Sequence, residues 1–168
     1  AAVRRMPQPR CKFDEMIVFE GPEGKNKSSM LRLMAGDENF SDDLPIRATA
    51  REVIENLRGT WIVEYAELRD LRGIDIEHLK SFLSRQADKS TLKFERETTT
   101  YNRQCIFVGT TNESTYLLSH TGNRRFWPIA VDLFNLDDLR RDRDQLWAEA
   151  DYLESQDASI RLPEELWP

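Results

Sequence analysis

Met16-Ile17-Val18-Phe19-Glu20-Gly21-Pro22-Glu23-Gly24-Lys25-Asn26-Lys27-Ser28-Ser29 is the stretch from which the rest of the chain is read. The apolar run Met16 to Phe19 ends at Glu20, and Gly21-Pro22-Glu23-Gly24 has the composition of a turn. Lys27-Ser28-Ser29 then opens an apolar stretch, Met30 to Met34, with helical character. A strand, a glycine-containing loop and a helix start are the parts of a phosphate-binding loop. Backbone N–H groups at the helix N-terminus, reinforced by the helix dipole, favour a bound anion there. In this reading Gly21, Pro22, Glu23, Gly24, Lys25, Asn26, Lys27, Ser28 and Ser29 bind the nucleotide. Lys27, expected to face solvent until nucleotide arrives, reaches the β- and γ-phosphates, and Ser28 places its hydroxyl on Mg²⁺. Asn26 stands where the GxxxxGK[ST] pattern has its second glycine. Asn tolerates a positive φ better than bulkier residues, so the loop is expected to form, with the Asn26 side chain crowding the phosphates. The alternative is a strand–turn–helix whose Lys27 and Ser28 merely solvate a helix N-terminus.

The 168 residues suit one domain with a real core, and 39% hydrophobic against 32% charged residues fits a soluble globular protein. No apolar run is long enough to span a bilayer and no signal-peptide pattern is present, so the expectation is a cytoplasmic protein without a membrane partner. Two cysteines, Cys11 and Cys105, have no zinc spacing, and Cys105 reads as core. A net charge of −6 does not advertise a nucleic-acid binder, so any such role must rest on local basic clusters. The chain opens Ala1-Ala2-Val3 without a methionine and is expected to be a fragment of something longer.

Arg4, Arg5, Arg10 and Lys12 form a basic lead-in to the first strand. The helix after the loop should run to about Ala35 and stop at Gly36. A short strand is expected around Phe40, and Thr49 should cap a helix from Ala50 to Leu57 that ends by Gly59. Trp61 to Leu68 reads as a buried strand ending in acid. Asp75 should cap a helix carrying Ile76, Leu79, Phe82 and Leu83 at helical spacing. Lys89 to Arg103 alternates and is Thr-rich, which suggests a hairpin. Gln104 to Gly109 and Phe126 to Val131 are further strands, and Leu136 to Leu153 is an amphipathic helix. Strands alternating with helices argue for an α/β fold, a mainly parallel five-stranded sheet flanked by helices, with chemistry at the carboxyl ends of the strands.

A nucleotide loop needs an acid at the end of a neighbouring buried strand. Glu64, where the apolar run stops, is assigned to the metal side with Ser28, and Glu67 to activation of water. Otherwise one or both simply solvate the strand end. Asn112, after Gly109-Thr110-Thr111, is placed to orient the water, or else it is an ordinary turn residue. Arg124 and Arg125, adjacent at a strand start, should project to opposite sides, one toward a neighbouring subunit and one into its own fold. A structural salt bridge is the other role open to either.

The ordered series GPEGKNKSS, WIVEYAEL, HLKSFLS, RQCIFVGTTNE and TGNRRFWPI resembles the virulence-associated protein E family, from about Arg10 to Ala150. These are phage- and island-encoded ATPases similar to superfamily 3 helicases, often fused behind a primase domain. The resemblance implies a P-loop NTPase core of the ASCE/AAA+-like type, single over residues 1–168 and cut from a longer primase/helicase-type protein. It implies Lys27 and Ser28 as the Walker A pair, Glu64 and Glu67 as Walker B acids, Asn112 as sensor and Arg124 as a finger offered in trans. The cofactors implied are ATP and Mg²⁺. Two stretches depart from the family pattern: Asn26, and Lys93-Phe94-Glu95-Arg96 where an Arg-rich stretch with a Pro-Tyr is usual.

Three functions remain open at this point. The first is the motor core of a helicase-like replication protein. It would self-associate into a ring and move a basic hairpin (Lys89, Lys93, Arg96, Arg103) along single-stranded or forked DNA, with a primase domain or phage or host replication proteins as partners. The second is an ATP-binding switch or assembly module with slow turnover. A small-molecule kinase is the third, but the chain has no recognisable lid or acceptor site.

Overall fold

Punctuation and periodicity place most element boundaries. A computed structural model describes residues 1–43, 46–66, 68, 73–93, 96–112, 123–163 and 165, with only the backbone of residues 73–75. In chain order the elements are α1 (Ala2–Arg5), β1 (Met16–Glu20), α2 (Lys27–Ala35), β2 (Phe40–Ser41), α3 (Ala50–Leu57) and β3 (Ile62–Tyr65). They continue with α4 (Gly73–Leu83), β4 (Ala87–Ser90), β5 (Thr99–Asn102), β6 (Ile106–Thr111), β7 (Phe126–Ala130) and α5 (Leu136–Ser155). Gly36 closes α2 at φ 85°, a value glycine adopts without penalty. Thr49 caps α3 in a full capping box with Glu52. Helix α4 begins at Gly73, so Asp75 is its third residue rather than its cap. An acid suits a first helical turn as well as a cap, because both lie at the positive end of the dipole.

The expected five-stranded sheet forms in the order β2-β3-β6-β1-β7, every neighbouring pair parallel, while β4 and β5 make a separate antiparallel ribbon. Strand β6 lies between β1 and β3, so the loop after β1 and Glu64 are on strands that do not touch. Strand β6 begins two residues later than expected and takes in Thr110 and Thr111, which pair with Phe19 and Glu20 of β1. The apolar run from Trp61 likewise divides: β3 stops at Tyr65, and Leu68 folds back so closely over Gly109 that a Cβ there would lie 2.4 Å from its methyl carbon.

Side chains alternate across a strand, and this sorts the core into two layers. Met16, Val18, Val63, Phe107 and Phe126 pack with Val53 of α3 and with Ile76, Leu79, Phe82 and Leu83 of α4. Ile62 and Val108 face the other way, onto Met30, Leu31 and Ala35 of α2, where Leu139 and Trp147 of α5 join them. Glu64 and Thr110 continue the Ile62 and Val108 rows, so both point toward α2. Two arginines of the basic lead-in are tied into the fold, while Arg10 is exposed. Arg5 is buried and donates to the carbonyls of Phe13 (2.7 Å) and Cys105, and Arg4 pairs with Glu154 at 2.7 Å. Among the described residues no helix is long and apolar enough to cross a membrane.

Arg103 needs correcting as a nucleic-acid candidate. Its side chain is buried, donates to both carboxylate oxygens of Asp88 at 2.6 and 3.0 Å and to the Phe82 carbonyl at 2.7 Å, and lies over the Phe82 ring. It holds the hairpin onto α4. Arg103→Ala is expected to destabilise the domain by about 3–5 kcal/mol in urea unfolding, because buried Asp88 loses its main counter-charge. A loss within experimental error would remove this structural role. Lys89, Lys93 and Arg96 are exposed on the ribbon, and Phe94 and Glu95 lie outside the described residues.

Candidate functional site

The carboxyl end of β1 turns sharply because Gly21 has no side chain. A Cβ there would sit 2.3 Å from the Val131 carbonyl oxygen, and the Gly21 N–H donates to the Thr111 carbonyl at 3.2 Å. Five residues on, Asn26 takes the left-handed conformation (φ 61°, ψ 23°) that its position requires. Its side chain does not crowd the cavity as expected: Nδ2 donates to the Phe134 carbonyl at 2.9 Å. The Phe134 N–H in turn donates to the Lys25 carbonyl at 3.2 Å.

Lys27 is the first residue of α2 and is buried, not solvent-facing. Its ammonium donates to the carbonyls of Gly21 (2.5 Å) and Pro22 (2.9 Å) and to Asn112 Oδ1 (3.0 Å). Burial pulls its pKa below the ordinary lysine value; Glu23 and Glu64 oppose this and Lys25 adds to it. On the next residue, the Ser28 hydroxyl donates to Glu64 Oε1 at 2.6 Å. The Thr110 hydroxyl donates to the same oxygen, also at 2.6 Å. Glu64 is only 1% exposed. A cavity of about 400 Å³ opens over these groups, lined by residues 23–29, Ala66 and Thr110 to Asn112.

Four of the residues singled out in the sequence therefore meet across three separate segments: Lys27, Ser28 and Asn112 line the cavity, and Glu64 lies behind them, bonded to Ser28. Thr110 was missed, although it lies two residues before Asn112 in an extended run and so shares its face. Glu67 lies outside the described residues. Arg124 is elsewhere. It sits exposed in the turn Asn123–Arg125 before β7, and Phe126 pairs with Met16 at the start of β1. The strand lengths place it roughly 20 Å along the sheet from the loop that follows β1. Arg125 points into its own fold, 3.2 Å from Asp14. The base of the β4–β5 ribbon is at that same far edge.

Ser28 and Glu64 make a hard-oxygen pair suited to Mg²⁺, which takes one or two protein oxygens and completes its shell with water and phosphate. Among the described residues there is no group of three or more His, Cys, Asp or Glu able to hold a metal by themselves.

The sequence matches the Virulence-associated protein E-like domain family over residues 1–167. The chain belongs to that family. No curated protein matches this VapE-like domain. Among solved structures it is similar to the apo C-terminal region of NrS-1, residues 305–718, with a TM-score of 0.59 and 15% identity over 86% of this chain and 38% of that one. An A form of the same apo region gives a TM-score of 0.57 at 16% identity, covering 96% of this chain and 39% of that one. The VapE-like domain thus shares its fold with under two fifths of the NrS-1 region.

Proposed function

We propose that this domain is a P-loop NTPase core of the ASCE/AAA+-like type that hydrolyses ATP in a helicase-like DNA replication protein of a phage or mobile element. One observation carries the reading: Ser28, at the start of α2, shares a 2.6 Å hydrogen bond with Glu64 at the end of β3, beside the seated ammonium of Lys27. The order of the strands supports it, since β6 brings Asn112 between the loop and the acid.

Each residue then has a task. Lys27 holds its protons on neutral oxygens, and exchanging these for phosphate oxygens gives stronger bonds, charged at both donor and acceptor. The loop N–H groups bind the phosphate chain. Ser28 and Glu64 would hold Mg²⁺, which when bound neutralises phosphate charge. Thr110 fixes the Glu64 carboxylate. Glu67 takes the proton of the attacking water, Asn112 orients that water, and Arg124 is supplied by a neighbouring subunit in a ring. Lys89, Lys93 and Arg96 are the remaining candidates for single-stranded or forked DNA. A fused primase domain or phage and host replication proteins in the cytoplasm are the partners this reading favours. The switch alternative, in which Asn26 slows turnover, has less support because the Asn26 amide is engaged by the Phe134 carbonyl.

The test is ATP hydrolysis with and without single-stranded DNA. Stimulation by DNA is expected; nucleotide binding without turnover in either condition would favour the switch. Glu64→Gln should weaken Mg²⁺-dependent nucleotide binding about tenfold or more, the usual range for a residue that orients a metal's ligands. Equal affinity with and without Mg²⁺ in both proteins would remove Glu64 from the metal side.

A further inference from the structure

We propose that Val131 to Phe134 form a strap that holds the nucleotide loop in its anion-receptive shape before nucleotide arrives, and that Asn26 is the positioning residue closing it. The functional part of this inference rests on the ATP-binding reading above.

The strap touches the loop along its length. At one end the Val131 N–H donates to the Glu20 carbonyl at 2.7 Å, and the Val131 carbonyl occupies the space a Gly21 side chain would need. At the other end Phe134 makes a reciprocal pair, its N–H to the Lys25 carbonyl and its carbonyl to Asn26 Nδ2. Lys25 and Asp132 add a 3.7 Å ion pair, but Asp132 is fully exposed, so that contact contributes little. The strap is itself fixed. It leaves β7 directly, the Phe134 ring packs edge-on against Phe19 at 5.3 Å, and the next residue, Asn135, caps α5 through the N–H groups of Asp137 and Asp138.

This gives a physical account of why asparagine stands at position 26. The backbone there must be left-handed, which glycine also permits. Glycine has no donor, however, and would leave the loop joined to the strap at Phe134 only through Lys25. Asparagine meets the backbone requirement and commits its amide donor to the Phe134 carbonyl. Ordering the loop in advance removes an entropic cost from the binding step.

The full chain carrying Asn26→Gly tests this, because the variant keeps the left-handed backbone and removes only the donor. In nucleotide-free protein, amide exchange across residues 24–28 should rise about three- to tenfold, the range for loss of one hydrogen bond. The KM for ATP should rise by a similar factor with kcat at saturation unchanged. Asn26→Asp, of the same shape but unable to donate, should show the same faster exchange, and it carries the test if the glycine variant fails to fold. Unchanged exchange in both variants overturns the strap. A lower KM for Asn26→Gly overturns it too, since that would mean the asparagine obstructs the phosphates. If the wild-type chain binds no ATP, the ATP reading fails, while the exchange measurement still decides the strap.

Discussion

Lys27→Ala is expected to lower ATP turnover by about a hundred- to a thousandfold, the scale on which a group that stabilises transition-state charge is felt. Lys27 is the only cation whose ammonium is seated on the loop carbonyls of Gly21 and Pro22 among the described contacts, where a phosphate chain would displace them. Lys25, two residues earlier, leans outward toward Asp132 instead. Lys25→Ala should therefore change turnover only a few-fold. The reverse pattern, with Lys27→Ala active and Lys25→Ala dead, would mean the loop register is wrong. The fold should survive Lys27→Ala, because Asn112, one of the acceptors it frees, lines a cavity that water can enter.

The same lysine sets a pH trend. Its folded-state pKa lies below the ordinary value of 10.5 because of burial, so between the two values the unfolded chain binds more protons. Stability should accordingly rise with pH through that window, from the lowered folded value up to about 10.5, and this part of the rise should vanish in Lys27→Ala.

How far the sequence was legible depended on the separation of the groups involved. The helix ends at Gly36 and Thr49 are local, since a glycine or a capping hydroxyl acts within a turn of itself, and both stand where they were read. The convergence of Lys27, Ser28, Glu64 and Asn112 was legible for a different reason: all four lie where an element starts or an apolar run ends, and a parallel sheet collects such points at one edge. Arg103 was not legible. In a polar, Thr-rich hairpin it looks solvated, and its partner Asp88 is reached only once β4 pairs with β5 and sets Asp88 opposite Tyr101. Asn26 was half legible. Its backbone conformation is a property of the residue, but its side chain's acceptor is 108 residues downstream. The end of β3 at Tyr65 was hidden because an apolar residue after Glu67 continues the strand pattern without a break.

Arg124→Ala should leave ATP affinity within a few-fold of wild type and lower turnover by about 10³ or more, the effect of removing an arginine finger. The geometry makes this a claim about two subunits. Phe126 pairs with Met16 at the start of β1, whereas Gly21 follows the other end of that strand, so Arg124 and the Gly21–Asn26 loop of its own chain lie at opposite ends of the strands. The length of β1 keeps them roughly 20 Å apart, beyond the reach of an arginine side chain. Its neighbour Arg125 is held by Asp14 of the same chain. Turnover per chain should consequently climb steeply with protein concentration. Mixing Arg124→Ala with Glu67→Gln chains, each inactive alone, should restore part of the activity, because some interfaces then join an intact arginine to an intact acid. Arg124→Ala that hydrolyses ATP at the wild-type rate in the assembled state would exclude the finger. Hydrolysis by wild type independent of concentration, with no rescue on mixing, would place the complete site within one chain.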